Sequence, residues 1–241
     1  MQSEIRIGTS GWYYRHWLGN FYPAETKLSE TFDYYTRHFN TVEINNSFYA
    51  LPTDKTVVKW KESSPPKFLF AAKASRYLTH IKRLKDPAEP LARFFGVMRN
   101  LKEKLGPILF QFPGNWSLDY DRLSAFLGVL PRGLRCVFEF RAASWFTPQV
   151  YALLRNHNAA LCFYDRGGVE SPLEITADFI YVRMHAPAAE WNGRYERPLL
   201  LPWAARITEW RKQLTGIYFY FNNDPGGHAV RNAQELLALI R

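Results

Sequence analysis

Eight short hydrophobic runs recur along the 241 residues, and most of them end in a polar or charged side chain of one parity. The clearest is Arg135-Cys-Val-Phe-Glu-Phe-Arg141, where Val137, Glu139 and Arg141 share one face of a strand and Phe138 and Phe140 share the other. The runs cover residues 5–9, 41–45, 67–73, 107–112, 135–141, 159–165, 179–185 and 217–222. Most of the intervals between them have helical spacing. Strands that alternate with helices imply parallel βαβ units, and this number of them implies an α/β fold closed into a (β/α)8 TIM-type barrel. Residues 167–178 are too few and too broken by Gly and Pro for a full helix, so the helix between the sixth and seventh runs should be short or absent. A doubly wound open sheet is the alternative, but only a bare Gly8-Thr-Ser-Gly11 follows the first run where that fold wants a glycine-rich phosphate loop.

The helical intervals carry their own punctuation. Residues 28–40 bring Phe32, Tyr35 and Phe39 to one face, with Ser29 as the expected N-cap. Thr53 or Asp54 should cap the next helix, and residues 86–105 read as one long helix ended by Gly106. Asp119 or Asp121 caps a further helix, Thr147 precedes one with Pro148 at its first position, and residues 202–214 form another. No linker or low-complexity tract divides the chain, and its length suits a barrel of about 250 residues, so residues 1–241 are expected to form one domain.

Side-chain alternation then places a ring of polar groups at the C-terminal strand ends, where barrel enzymes carry their chemistry. The second run gives Glu43 and Asn45, the third Lys73, the fourth Gln111, and the fifth Glu139 and Arg141. Asp165 is expected from the sixth run, Arg183 and His185 from the seventh, and Asn222 from the eighth. The acids Glu43, Glu139 and Asp165 nearly balance Lys73, Arg141 and Arg183. A metal site wants an excess of carboxylate and imidazole, so neither a metal nor a cofactor is expected. The ring is either a functional site or a plug of buried ion pairs. A plug is expensive, because each buried ion loses several kcal/mol of hydration.

The loops above the ring are basic and aromatic. Lys73, Arg76, Lys82, Arg83 and Lys85 precede the first acid, Asp86, after the third run, with Tyr77 and His80 among them. The first loop adds Trp12, Tyr13, Tyr14, Arg15, His16 and Trp17, and the seventh adds Trp191, Arg194, Tyr195 and Arg197. With a net charge of +9, these favour an anionic partner: a phosphate- or sugar-phosphate-bearing small molecule, or a single-stranded nucleic acid. Charged residues inside the first strand, no apolar leader and no membrane-length run point to a cytoplasmic protein without a membrane partner. Cys136 and Cys162 read as buried free thiols, both turned away from the ring into the strand–helix layer.

Several motifs resemble a known family. Asn40-Thr-Val-Glu-Ile-Asn45 with Ser47-Phe-Tyr49, Phe70-Ala-Ala-Lys73, Thr79-His80, Phe110-Gln-Phe-Pro113, Glu139-Phe-Arg141 with Ser144-Trp145, Tyr181-Val-Arg183 with His185, and Phe221-Asn-Asn-Asp224 resemble the YecE-like proteins nearly end to end. The resemblance implies a TIM barrel with these motifs at its strand ends, and it implies no activity. Ala142 and Ala186 stand where that family often has His and Gly. From the residues themselves, the expected function is a hydrolase acting on a phosphate- or sugar-containing substrate. Glu139 would be its acid or base, Glu43 or Asp165 its second carboxylate, and Lys73, Arg76, Gln111, Arg141, Arg183, His185, Asn45, Asn222 and Trp12 its binding groups. The alternative is a nucleic-acid-binding module built on the basic loop and the mouth aromatics.

Overall fold

The computed structural model describes residues 3–187 and 193–241. Its strands are β1 (Glu4–Thr9), β2 (Thr41–Ile44), β3 (Leu69–Lys73), β4 (Leu105–Gln111), β5 (Cys136–Glu139), β6 (Ala160–Arg166), β7 (Val169–Glu170), β8 (Phe179–Ala186) and β9 (Gly216–Phe221). They follow the order β1-β9-β8-β6-β5-β4-β3-β2, all neighbours on that path parallel. A parallel bridge between Ser10 and Glu43, with the Gly11 amide donating to the Glu43 carbonyl at 2.8 Å, brings the two ends together. The result is the near-closed α/β barrel that the alternating runs predict.

No helix joins β6 to β8. Gly167 and Gly168 take φ of 63° and 78°, turning the chain so that β7 pairs antiparallel with β6. The flanking helices are α1 (Thr31–His38), α2 (Asn46–Tyr49), α3 (Asp54–Ser63), α4 (Ala88–Met98), α5 (Tyr120–Val129), α6 (Pro148–Asn156), α7 (Arg197–Trp210) and α8 (His228–Leu239). Thr53, Asp119 and Thr147 cap α3, α5 and α6, each accepting the amide three residues on.

Three helix ends differ from the sequence reading. A 3-10 turn over Leu28–Glu30 precedes α1, so Ser29 lies inside that turn and caps nothing. The expected long helix stops at Met98 and tightens into a 3-10 segment to Lys104, where Lys102 turns left-handed at φ 52°. Gly106 is therefore no helix cap. It lies in β4, where an added Cβ would sit 3.1 Å from the Phe70 carbonyl oxygen, so the glycine serves close strand approach. Helix α7 starts at Arg197 and runs through Pro202, which gives up a single backbone bond.

Apolar side chains divide into two layers. Phe70, Phe110, Phe138 and Phe163 pack outward against the helices, while Ala71, Leu109, Val137, Cys162, Tyr181 and Tyr220 fill the barrel. Each buried aromatic contributes about 1.5–3 kcal/mol by leaving water. The N-terminal end is closed by Glu4, which accepts hydrogen bonds from Arg6, Arg135 and Tyr218. Among the described residues, no helix is long and apolar enough to cross a membrane.

Candidate functional site

Arg183 is the hub of the barrel's C-terminal half. Inward parity on β8 puts its guanidinium among the strand ends, 1% exposed. Its Nε and Nη2 donate to the two oxygens of Glu43 at 2.9 Å each, and Nη1 donates to Glu139 Oε2 at 2.7 Å. Ser10 and Tyr181 donate their hydroxyls to Glu43 at 2.6 Å each. The other oxygen of Glu139 takes Arg141 through Nε at 2.8 Å and Nη2 at 2.6 Å. Burial alone would raise both carboxyl pKa values, but the adjacent guanidiniums outweigh it. Glu43 is lowered, and Glu139 is held well below the usual carboxylate range.

Lys73 ends β3 on the same inner parity, and its environment is different. Nζ lies 4.0 Å above the Phe48 ring and, among the described residues, forms no hydrogen bond or ion pair. Serine 47 on α2 fixes its backbone, Oγ donating to the Lys73 carbonyl at 2.7 Å. Burial and then the charge of Arg183 bring the Lys73 amine down to about 7, against partial compensation from Glu139 and Glu43. His80 packs edge-on against Phe48, its ring centroid 5.0 Å away. Thr79 Oγ1 lies 2.9 Å from its Nδ1, and the Gln111 amide nitrogen 3.4 Å from its Nε2. Burial, then Lys73 and Arg76, push His80 down to about 4, so it is neutral at physiological pH. His185 is also neutral, lowered by burial and by Arg183, and its Nδ1 lies 2.9 Å from the Asn222 amide.

The expected ring thus assembles from Glu43, Lys73, Gln111, Glu139, Arg141, Arg183, His185 and Asn222, while two expected members depart: Asn45 lies in a cleft at the rim, and Asp165 exchanges with Arg166. Asp165 is not in it. On β6, Leu161 and Phe163 belong to the outer layer and Ala160 and Cys162 to the barrel interior, so Asp165 shares the outer parity. Its carboxylate accepts the Gly168 amide at 3.0 Å and lies beside Tyr195. Tyr164 and Arg166 take the inner places, near enough for Glu139 and Arg141 to act on both. The same reversal puts the Cys162 thiol inside the barrel, 3.9 Å from Glu139 Oε2, and leaves only Cys136 in the strand–helix layer. The sequence reading also missed Ser10, which lies just beyond the end of β1 and is tied to β2 by an isolated bridge.

The remaining candidates lie at the rim. Arg76 is exposed above His80. Trp12 packs against Phe32 and Trp60, and with Tyr13, Tyr14, Leu28 and Asn45 it lines a cleft of about 340 Å³. Asn45 Oδ1 is buried there without a hydrogen-bond partner among the described residues. Trp17 and Tyr195 are buried packing residues, and Arg194 pairs with Glu235 at 2.7 Å. Trp191 lies outside the described residues. Among the described residues, no group of three or more His, Cys, Asp or Glu side chains converges as a metal site.

Residues 6–241 match the family described as protein of unknown function DUF72, and the chain belongs to that family. It is 26% identical over 273 residues to the UPF0759 protein YunF of Bacillus subtilis, an alignment covering 98% of this chain and 94% of that protein. The UPF0759 protein YecE of Escherichia coli is 29% identical over 143 residues, 59% of this chain and 50% of YecE. The crystal structure of a DUF72 family protein from Thermotoga maritima, 27% identical, superposes with a TM-score of 0.86 over 98% of this chain and 99% of that one.

Proposed function

We propose that this DUF72 family chain binds a small phosphate- or sugar-phosphate-bearing molecule in the C-terminal mouth of its barrel and acts on it there. The observation that carries the reading is the charge of the mouth. With Asp165 turned outward, Lys73, Arg141 and Arg183 converge there with Glu43 and Glu139 as the facing anions among the described residues. A bound anion would complete the balance. Neutral His80 and His185, Gln111 and Asn222 add polar groups suited to hydroxyls of the same ligand.

General acid catalysis by Glu139 draws no support from this geometry. Two arginines hold it ionised, and a carboxyl far below its ordinary range neither donates nor accepts a proton readily near neutrality. Its role here is to place Arg183 and Arg141. The test is a crystal structure at high phosphate. An ordered anion touching Lys73, Arg141 or Arg166 is the expected result, and a mouth with closed ion pairs and no anion at saturating phosphate would refute the reading.

A second reading has one observation in its favour. Tyr49 and Tyr77, 80% and 45% exposed, line a cleft of about 340 Å³ with Arg93, on the face of the barrel that carries the mouth. Exposed aromatics beside cations suit stacking on the bases of a single strand. Binding of an oligonucleotide that weakens steeply between low and moderate salt would support this reading, and salt-insensitive binding would remove it.

A further inference from the structure

We propose that the ε-amino group of Lys73 is a nucleophile that forms an imine with an aldehyde or ketone substrate bearing an anionic group. The proposal deepens the anion-site reading and rests on it, since the cations of the mouth would hold the anionic end.

The geometry separates Lys73 from a structural lysine. Lys104, also buried, shows what this fold does with an amine it uses as a strut. Its Nζ donates to the Lys61 carbonyl at 2.8 Å, the Ser64 carbonyl at 2.7 Å and the Ser64 hydroxyl at 2.8 Å. Lys73 Nζ has no such bond among the described residues, and it sits 4.0 Å over the face of Phe48. The nearby carboxylates do not claim it. Glu43 is committed to Arg183, Ser10 and Tyr181, and Glu139 to Arg183 and Arg141. The amine is therefore held at a barrel strand end, partly exposed, in an apolar seat ringed by Arg183 and Arg141 with Glu139, Glu43 and His80 around them.

Desolvation beside other cations is a general route to an amine that is neutral and nucleophilic near neutral pH. The value of about 7 for Lys73 agrees with that environment. In the step, the Nζ lone pair forms the C–N bond as the carbonyl π pair moves to oxygen. The carbinolamine then loses its hydroxyl, and both protons of the amine leave with that oxygen as water. The step needs no oxidant, reductant or metal.

The test is reductive trapping. The protein is incubated with dihydroxyacetone phosphate, with glyoxylate, or with uncharged acetone, each with cyanoborohydride, and the adduct is located by intact mass and peptide mapping. Saturable single addition at Lys73 is expected from the two anionic carbonyls, about a hundred-fold faster than at an ordinary surface lysine because far more of the amine is neutral. Acetone should leave Lys73 unmodified, and the trapping rate should inflect at about pH 7. In Lys73→Arg, which keeps the charge, the adduct should vanish. Labelling spread over surface lysines with Lys73 unmodified overturns the proposal, as does an unchanged adduct in Lys73→Arg. The pH inflection is read on the unaltered protein, so a misfolded variant does not blunt the test. If phosphate binds and Lys73 is never trapped, the imine fails and the anion site stands. If neither occurs, both fail.

Discussion

Arg183 grips Glu43 at two points, Nε to Oε2 and Nη2 to Oε1, both at 2.9 Å, with the side chains 1% and 0% exposed. Such a pair adds little net stability, because the hydration lost by both ions offsets most of their attraction. Its significance is positional. Glu43 fixes one end of the guanidinium so that Nη1 reaches Glu139 at 2.7 Å, and Glu139 in turn holds Arg141.

Breaking the chain of charges from one side should be costly. Glu43→Gln or Glu139→Gln leaves a buried arginine underpaired, and each should lose about 3–5 kcal/mol of folding free energy. Urea unfolding measures this directly. A double variant that removes Glu43 and replaces Arg183 with Met should recover part of the loss, since no charge is stranded.

Acid should undo the same network. Both carboxyls have folded pKa values below the ordinary 4.5, so the folded protein binds fewer protons than the unfolded chain near that pH. Their stabilisation is complete above that value and drains away as pH falls through the lowered folded pKa values. The urea midpoint should fall steeply only below about pH 4.5, and Glu139→Gln should flatten that limb.

How much of this was legible beforehand depended on whether a strand's two faces differ in chemistry. On β5 the aromatics Phe138 and Phe140 stand opposite Glu139 and Arg141, and parity is unambiguous. On β6 both faces are apolar until the last turn, because a parallel strand in a barrel is buried on both sides. Ala160-Leu-Cys-Phe-Tyr-Asp-Arg166 then offers either Asp165 or Arg166 to the mouth, and the pairing of β6 with β8 shifts register between those two residues. Larger outer residues, Leu161 and Phe163, face the roomier helix layer, while Ala160 and Cys162 fit the narrow interior. Side-chain size was the signal that could have settled it. The pairing of Lys73 with Phe48 was beyond reach for another reason: α2, a single short turn, sets it, and no periodic pattern marks so short an element.

Lys73 should behave in the opposite sense to the acids. Its amine falls from 10.5 unfolded to about 7 folded, so between those values the unfolded chain holds the extra proton. Stability therefore rises with pH across that window. Lys73→Met should be about 1–2 kcal/mol more stable than the unaltered protein below about pH 7, with the advantage gone in alkali. Melting the two proteins across a pH series checks it.

The thiols should be silent in the native state. Burial pushes Cys136 up to about 12, and burial with Glu139 nearby pushes Cys162 well above its ordinary value. A disulfide-exchange reagent should label neither until the chain unfolds, so the labelling rate should track global opening. Fast labelling of Cys162 under native conditions would mean that the barrel mouth opens around Glu139.

The most direct measurement of the central claim is calorimetric titration with inorganic sulfate, a phosphate-like anion whose charge is fixed across this range, at several pH values, repeated in buffers of different ionisation enthalpy. An anion in the mouth raises the affinity of Lys73 for a proton. Binding should therefore be one to one, should tighten as pH falls through about 7, and should take up a proton at and above that pH. Lys73→Met should abolish the proton uptake, and Arg166→Met should weaken binding by about ten-fold. No saturable binding, or binding indifferent to pH and to both substitutions, would contradict an anion site at the mouth of this barrel.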